Sequence, residues 1–362
     1  MDNQFKSLLD YLRMVLSKDA SDIHFSVGRP PTLRIRDRLV PIEGEAKMKS
    51  EDVEKFFSEM TTEDQRTLLE IEKELDFSFD CPDCTTLEGS KSARFRVNAY
   101  YQSGVLSIAL RLIPLKIRTL EELNLPKVIE EFSKARQGFV LVVGPAGHGK
   151  SSVMAALINL INDTRDDHVI TVEDPIEYVF EQNRCIIDQR EVGRDTKSFG
   201  RAIRAALRED VDVVMIGEMR DLESMSAALT MAETGHLVFA SLHTSTAAQT
   251  VDRIIDSFPA HQQDQVRAQL ASVLLGVVSR RLIPTIKGDL TSAAEVLFVN
   301  PAVRNLVREG KTHQIDLVID TSASEGMISL NRSLAERVKE GLITLEQALG
   351  YSLNPDELKS SV

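Results

Sequence analysis

Phe139-Val-Leu-Val-Val143 runs directly into Gly144-Pro145-Ala146-Gly147-His148-Gly149-Lys150-Ser151-Ser152, an apolar strand-like run ending in a glycine-rich turn. Gly144, Gly149, Lys150 and Ser151 hold the fixed places of G-x-x-x-x-G-K-[ST], and Val153-Met-Ala-Ala-Leu-Ile158 continues as a helix. A phosphate chain requires converging backbone N–H groups, a helix N-terminus and a lysine. Glycines let the backbone wrap closely enough to supply them. The segment therefore predicts a nucleoside triphosphate site, with Ser151 as a ligand of Mg²⁺ between the β- and γ-phosphates.

The chain has 362 residues, a length for about two domains. Charged residues at 27% and hydrophobic residues at 43% are ordinary globular values. The balance of 43 basic against 55 acidic residues gives a net charge of −12. That argues against binding nucleic acid by phosphate neutralisation. The sequence opens without a signal-peptide pattern, and the apolar runs at Phe139–Val143 and Leu270–Val278 are too short to span a bilayer. The expectation is a cytosolic protein that reaches a membrane through a partner. Cys81-Pro-Asp-Cys84 lacks a second cysteine pair for zinc and a thioredoxin-like context, so it reads as a reduced surface turn.

Residues 1–113 combine a helical spacing over Phe5–Leu16 with alternating runs at Ser21–Val27, Thr32–Arg36, Ser92–Tyr101 and Val105–Ile113. They predict a small α+β domain. Residues 114–119 form a proline-stiffened connector. From Leu120 to the C-terminus, helices alternate with buried strand-like runs at Phe139–Val143, Val169–Val172, Val211–Ile216 and Leu237–Ser241. This is the signature of an α/β core with a largely parallel sheet. Beyond Ser257 the pattern reads as mostly helical, with weak strands near Ala293–Val299.

Hydrolysis also needs a metal, a group that orients water, and positive charge against the transition state. Glu173, Asp174 and Glu177 follow one strand-like run, and Glu218 follows another, where parallel sheets place ligands. Gly217 occupies the position where many nucleotide hydrolases carry a Mg²⁺-binding aspartate. Glu218 then acts alone or with the Glu173–Glu177 group. His236 and His243 flank a third strand, either as γ-phosphate sensors or as structural histidines. Arg96 and Arg111 stand on the paired strands of the first domain, where residue chemistry alone reads them as solvent-facing.

In their order these segments resemble the secretion ATPase superfamily of type II secretion and type IV pili. Within it they are most similar to the PilT-type pilus retraction ATPases. The likeness is carried by the glycine-rich loop, Ile170–Tyr178, Gln189–Gly193, Ala205–Asp210, Gly217–Asp221, Ala232–Val238, Leu242–Thr244, Arg253–Pro259 and Pro301–Lys311. Ala20–His24 and Arg94–Asn98 extend it into the first domain. The resemblance implies a PAS-like N-terminal domain, a RecA-like P-loop core with a helical C-terminal part, and a homohexamer. Residues 144–152 then bind ATP, with Ser151 and Glu218 on Mg²⁺. Glu177 and Glu218 form the acidic catalytic pair, His236 and His243 are phosphate-side histidines, and Arg96 and Arg111 reach the nucleotide. The implied activity is ATP hydrolysis driving pilus retraction and twitching, at a platform protein of the inner membrane.

His148 departs from the serine or threonine usual in the family, and Ser152 replaces a threonine. No tetracysteine zinc module of the assembly ATPases is present. The alternatives are an accessory PilU-type ATPase and an ATP-binding scaffold with little turnover.

Overall fold

The computed structural model describes residues 6–35, 38–82, 84, 93–113 and 116–362. Phe5, Arg36, Asp83, residues 85–92, Pro114 and Leu115 lie outside them. The chain forms two compact units: Met1–Lys116 with Pro175–Val179, and Ile117–Asp174 with Phe180–Val362.

In the first unit, alternation of apolar and polar residues builds a six-stranded antiparallel sheet in the order β3-β2-β1-β6-β5-β4. Its strands are β1 (Asp22–Ser26), β2 (Thr32–Ile35), β3 (Arg38–Pro41), β4 (Glu74–Cys81), β5 (Ala93–Gln102) and β6 (Val105–Ile113). One face carries Phe25, Phe77, Phe95, Val97 and Leu110. It is covered by α1 (Leu8–Ser17) and α2 (Ser50–Met60), whose Tyr11, Leu12, Val53 and Phe56 share its core. Ser7 starts α1 as one half of a reciprocal capping box with Asp10. A third helix, α3 (Glu63–Glu72), leads into β4. The other sheet face is polar.

At the end of β4 the expectation for the cysteines needs correction. Cys81 and Cys84 are joined by a disulfide, and both side chains are buried in the apolar core of this unit. A turn in which the Cys84 N–H donates to the Cys81 carbonyl at 3.3 Å brings the two together.

The second unit centres on a seven-stranded sheet in the order β13-β12-β7-β11-β10-β8-β9. Its strands are β7 (Gly138–Val143), β8 (His168–Glu173), β9 (Ile186–Glu191), β10 (Val213–Ile216), β11 (Leu237–Leu242), β12 (Leu274–Pro284) and β13 (Leu290–Phe298). All neighbouring pairs are parallel except β12 with β13. Every residue of β7, β10 and β11 is buried, as expected for strands covered on both faces. The covering helices begin with α4 (Glu131–Lys134), α5 (Lys150–Thr164), α6 (Phe199–Ala206), α7 (Leu222–Glu233), α8 (Ala247–Asp256) and α9 (Ala260–Val273). The C-terminal part adds α10 (Pro301–Arg308), α11 (Ile315–Thr321), α12 (Leu330–Lys339), α13 (Leu345–Tyr351) and α14 (Pro355–Ser361).

The region beyond Ser257 is less helical than its sequence pattern predicts. β12 and β13 are strands of 11 and 9 residues, and β12 lies directly against β7. The apolar run at Leu270–Val278 conceals this because α9 ends at Val273 and β12 starts at Leu274 without a breaker.

Candidate functional site

Because β7, β8, β10, β11 and β12 run parallel, the residues that follow them gather on one edge of the sheet. Gly144–Gly149 leave β7 there. Gly144, Gly147 and Gly149 have φ of +144°, +77° and +74°, backbone that only glycine adopts readily. At Gly144 a Cβ would stand 2.5 Å from the Arg280 carbonyl oxygen, so the loop passes too close to β12 for any side chain. Gly149 is the N-cap of α5, whose first turn aims its N–H groups into the loop.

Lys150 is the first residue of that helix and is buried. Its Nζ donates to the carbonyls of Gly144 at 3.0 Å and Pro145 at 3.1 Å, and lies 3.2 Å from His243 Nδ1. The ammonium has only protons to offer, so His243 Nδ1 accepts and Nε2 carries the ring proton. Nε2 stands 3.3 Å from Glu218 Oε2, while Glu218 Oε1 pairs with Arg220. Lys150, His243, Glu218 and Arg220 thus form one continuous chain of charged and polar groups.

Glu218 follows Gly217, where a Cβ would approach Glu173 Cα and the Val172 carbonyl at 3.3 Å, closer than ordinary contact. Ser241 on β11 donates its hydroxyl to the Gly217 carbonyl at 2.6 Å. Glu173, at the end of β8, is buried and accepts from Thr171 Oγ1 at 2.7 Å and Gln189 Nε2 at 3.2 Å. Thr171, Gln189 and Ser241 hold the acidic residues in place; the first two fall within segments that carry the family likeness, but the sequence assigns no role to any of the three.

His236 stands apart from this group. It precedes β11, and its carbonyl accepts from the Gly138 N–H at the start of β7. Its ring Nδ1 lies 3.0 Å from the Met231 carbonyl and 3.1 Å from Thr234 Oγ1. The six residues of β11 separate it from His243 by about 20 Å, so it lies on the opposite sheet edge from the phosphate loop. Parallel strands bring together only the residues at their matching ends.

In the first unit, Arg96 and Arg111 are direct cross-strand partners of β5 and β6. Arg96 lies 3.6 Å from Glu177 Oε1 and 3.8 Å from Asp76 Oδ2, and Arg111 Nε donates to Asp22 Oδ1 at 2.8 Å. Glu177 belongs to this unit through the short segment Pro175–Val179. The three residues form one acidic–basic cluster on the polar sheet face.

The residues present fit a triphosphate with its cation. A glycine-lined loop, a helix N-terminus and Lys150 surround one locus. Ser151 stands on the first turn of α5, and Glu218 is tethered just past the end of β10, one strand beyond β11. Among the described residues no three His, Cys, Asp or Glu cluster as a metal site of their own. A Mg²⁺ ion here would be held by Ser151, Glu218 and substrate oxygens, the usual manner for this ion.

A phosphate-gripping loop between a buried parallel strand and a helix, with an acidic residue on a nearby parallel strand end, defines a RecA-like P-loop nucleotide-binding core. The chain belongs to the family described as Type II/IV secretion system protein, which it matches over residues 5–314. It is 42% identical over 346 residues to the type IV pilus retraction ATPase PilT of Pseudomonas aeruginosa, covering 94% of this chain and 96% of that protein. To the type IV pilus ATPase PilU of the same organism it is 36% identical over 349 residues, covering 96% and 89%. Among solved structures it resembles the pilus retraction motor PilT with bound ADP, at a TM-score of 0.88 and 43% identity, covering 98% of this chain and all of that one. The Legionella pneumophila ATPase DotB matches at a TM-score of 0.78 and 26% identity, with 96% of each chain covered.

Proposed function

We propose that this chain is an ATP-hydrolysing motor that works as a homohexamer to retract a type IV pilus. The chain Lys150–His243–Glu218 carries this reading, on a fold shared over nearly its full length with a retraction ATPase. Residues 144–152 bind the nucleotide, Lys150 neutralises its terminal phosphates, and Ser151 with Glu218 holds Mg²⁺. The cation supplies charge stabilisation at the phosphates when bound. Glu218 orients the attacking water. His243 links that carboxylate to Lys150, so a change at the phosphate is felt at both. Arg96, Arg111 and Glu177 are assigned to charge stabilisation and acid–base work on the nucleotide, supported by their clustering on one face. His236 receives no such role.

The motor acts in the cytoplasm, against a platform protein at the inner-membrane base of the pilus. Among the described residues no helix is long and apolar enough to cross a membrane, consistent with attachment through that partner. The higher identity to PilT than to PilU favours the main motor over the accessory one.

Steady-state ATPase turnover of the purified protein, beside Glu218→Gln, tests the reading. Turnover in the wild type that falls about a hundredfold or more in the variant is the expected result. Binding of ATP with no turnover in either protein would leave a scaffold instead. Restoration of twitching in a retraction-deficient strain decides between main and accessory motor.

A further inference from the structure

His148 is a loop residue whose side chain nothing above explains, and its partner is on β12. The N–H of Leu282 donates to His148 Nδ1 at 3.0 Å. One residue further along the loop, the Gly149 carbonyl accepts from Arg280 Nη1 at 2.8 Å. This carbonyl also receives the first helical N–H of α5, from Val153 at 3.3 Å. β12 therefore grips the loop at the two positions immediately before Lys150.

The grip continues inward. Arg280 is 3% exposed, and its Nε and Nη2 both donate to Ser292 Oγ on β13, at 3.1 and 2.9 Å. With both lone pairs so engaged, the Ser292 hydroxyl has its proton to give, and it donates to the Leu123 carbonyl at 2.6 Å. Leu123 sits in the turn Thr119–Leu125, where the chain enters the second unit. That turn is closed by Leu123 N–H to the Thr119 carbonyl and by reciprocal bonds between Thr119 and Glu122.

We propose that His148, Arg280 and Ser292 are positioning residues of the nucleotide site: they fix the end of the phosphate loop to β12 and tie its position to the Thr119–Leu125 turn. Each acts through the Gly149–Lys150 backbone and touches no reacting atom. The relay contains a charge-assisted bond at each end of the guanidinium, shielded from competing water, and such bonds are the strong ones. Nucleotide that pulls on the loop N–H groups pulls on the same carbonyl–guanidinium–hydroxyl line.

The inference rests on the nucleotide reading above, and the test separates the two. A fluorescent ADP analogue is titrated against wild type, His148→Ala, His148→Asn, Arg280→Gln and Ser292→Ala, with ATP KM and kcat measured beside it. Asparagine places an acceptor oxygen where Nδ1 stands, so His148→Asn should recover most of the ADP affinity that His148→Ala loses. His148→Ala and Ser292→Ala should each weaken ADP binding and raise KM about tenfold, as expected for one hydrogen bond in a charged network, with kcat changing much less. Amide exchange across 119–125 should slow when ADP is added to wild type but not to Ser292→Ala. Equal ADP affinity in wild type, His148→Ala and Ser292→Ala would overturn the proposal. So would equal protection of 119–125 in wild type and Ser292→Ala. His148→Ala, at a half-buried loop position, guards against loss of fold in the β12–β13 variants. A wild type that binds no nucleotide would defeat the functional reading first, and the proposal with it.

Discussion

Replacing Glu295 by glutamine should change how stability depends on pH, by an amount that follows from its surroundings. Glu295 lies on β13, 6% exposed, and its Oε1 accepts from the Ala247 N–H, at the first residue of α8, at 2.7 Å. Burial pushes its carboxyl up to about 7, helped by Asp316 and Asp320; the Ala247 bond and Arg281 oppose the rise. The folded protein thus keeps a proton on Glu295 between about pH 4.5 and 7, while the unfolded chain has lost it. Stability from this group is complete below the unfolded value and is lost as pH rises to the folded one. The difference of about 2.5 units corresponds to about 3 kcal/mol at 1.36 kcal/mol per unit. Glutamine keeps the acceptor and has no proton to lose. Because the chain has no tryptophan, urea unfolding is best followed by circular dichroism at pH 5, 6, 7 and 8. The wild type should lose about 2.5 kcal/mol relative to Glu295→Gln between pH 5 and pH 8, the remainder of the loss lying below pH 5. Curves that stay parallel within about 0.5 kcal/mol, the usual effect of a neutral surface change, would refute the reasoning.

Other perturbations test the site. Gly144→Ala, forced to φ of +144° with its Cβ 2.5 Å from the Arg280 carbonyl, should lower stability by about 2 kcal/mol in urea and abolish ADP binding. His243→Ala breaks the link between Lys150 and Glu218 and should reduce kcat about a hundredfold, with ADP affinity nearly unchanged in titration. Arg96→Ala and Arg111→Ala should each lower turnover at least tenfold while equilibrium ADP binding survives. Unchanged rates in both would remove those arginines from the proposed chemistry.

The phosphate loop was legible in the sequence because its requirements are local: two glycines, a lysine and a hydroxyl in fixed order, between a strand and a helix. Glu218 was legible for a similar reason, as the end of an apolar strand. What failed to show depended on strand direction and order. His236 and His243 flank the same short run and look equivalent as letters, but the parallel pairing of β11 with β7 puts the residue after β11, His243, on the phosphate-loop edge and leaves His236 on the other. β12 was hidden because it abuts α9 without a turn and carries Arg280 and Arg281 among its apolar residues, both buried. Thr171, Gln189 and Ser241 are ordinary polar residues until the sheet brings a carboxylate or carbonyl within 3.2 Å. The cysteine pair read as a solvent-facing turn because its burial depends on the rest of the first unit.

The placement of β7 bears on how the protein is made. Its neighbours in the sheet are β11 and β12, and its register with β12 joins Phe139 to Leu274. Pairings so distant in sequence form late and slowly. A ribosome adding some 5–20 residues per second would hold the finished phosphate loop for several seconds or more before its second flanking strand emerged. During that interval an apolar strand has an open side, so chaperone engagement of nascent chains should be heaviest between the synthesis of β7 and that of β12.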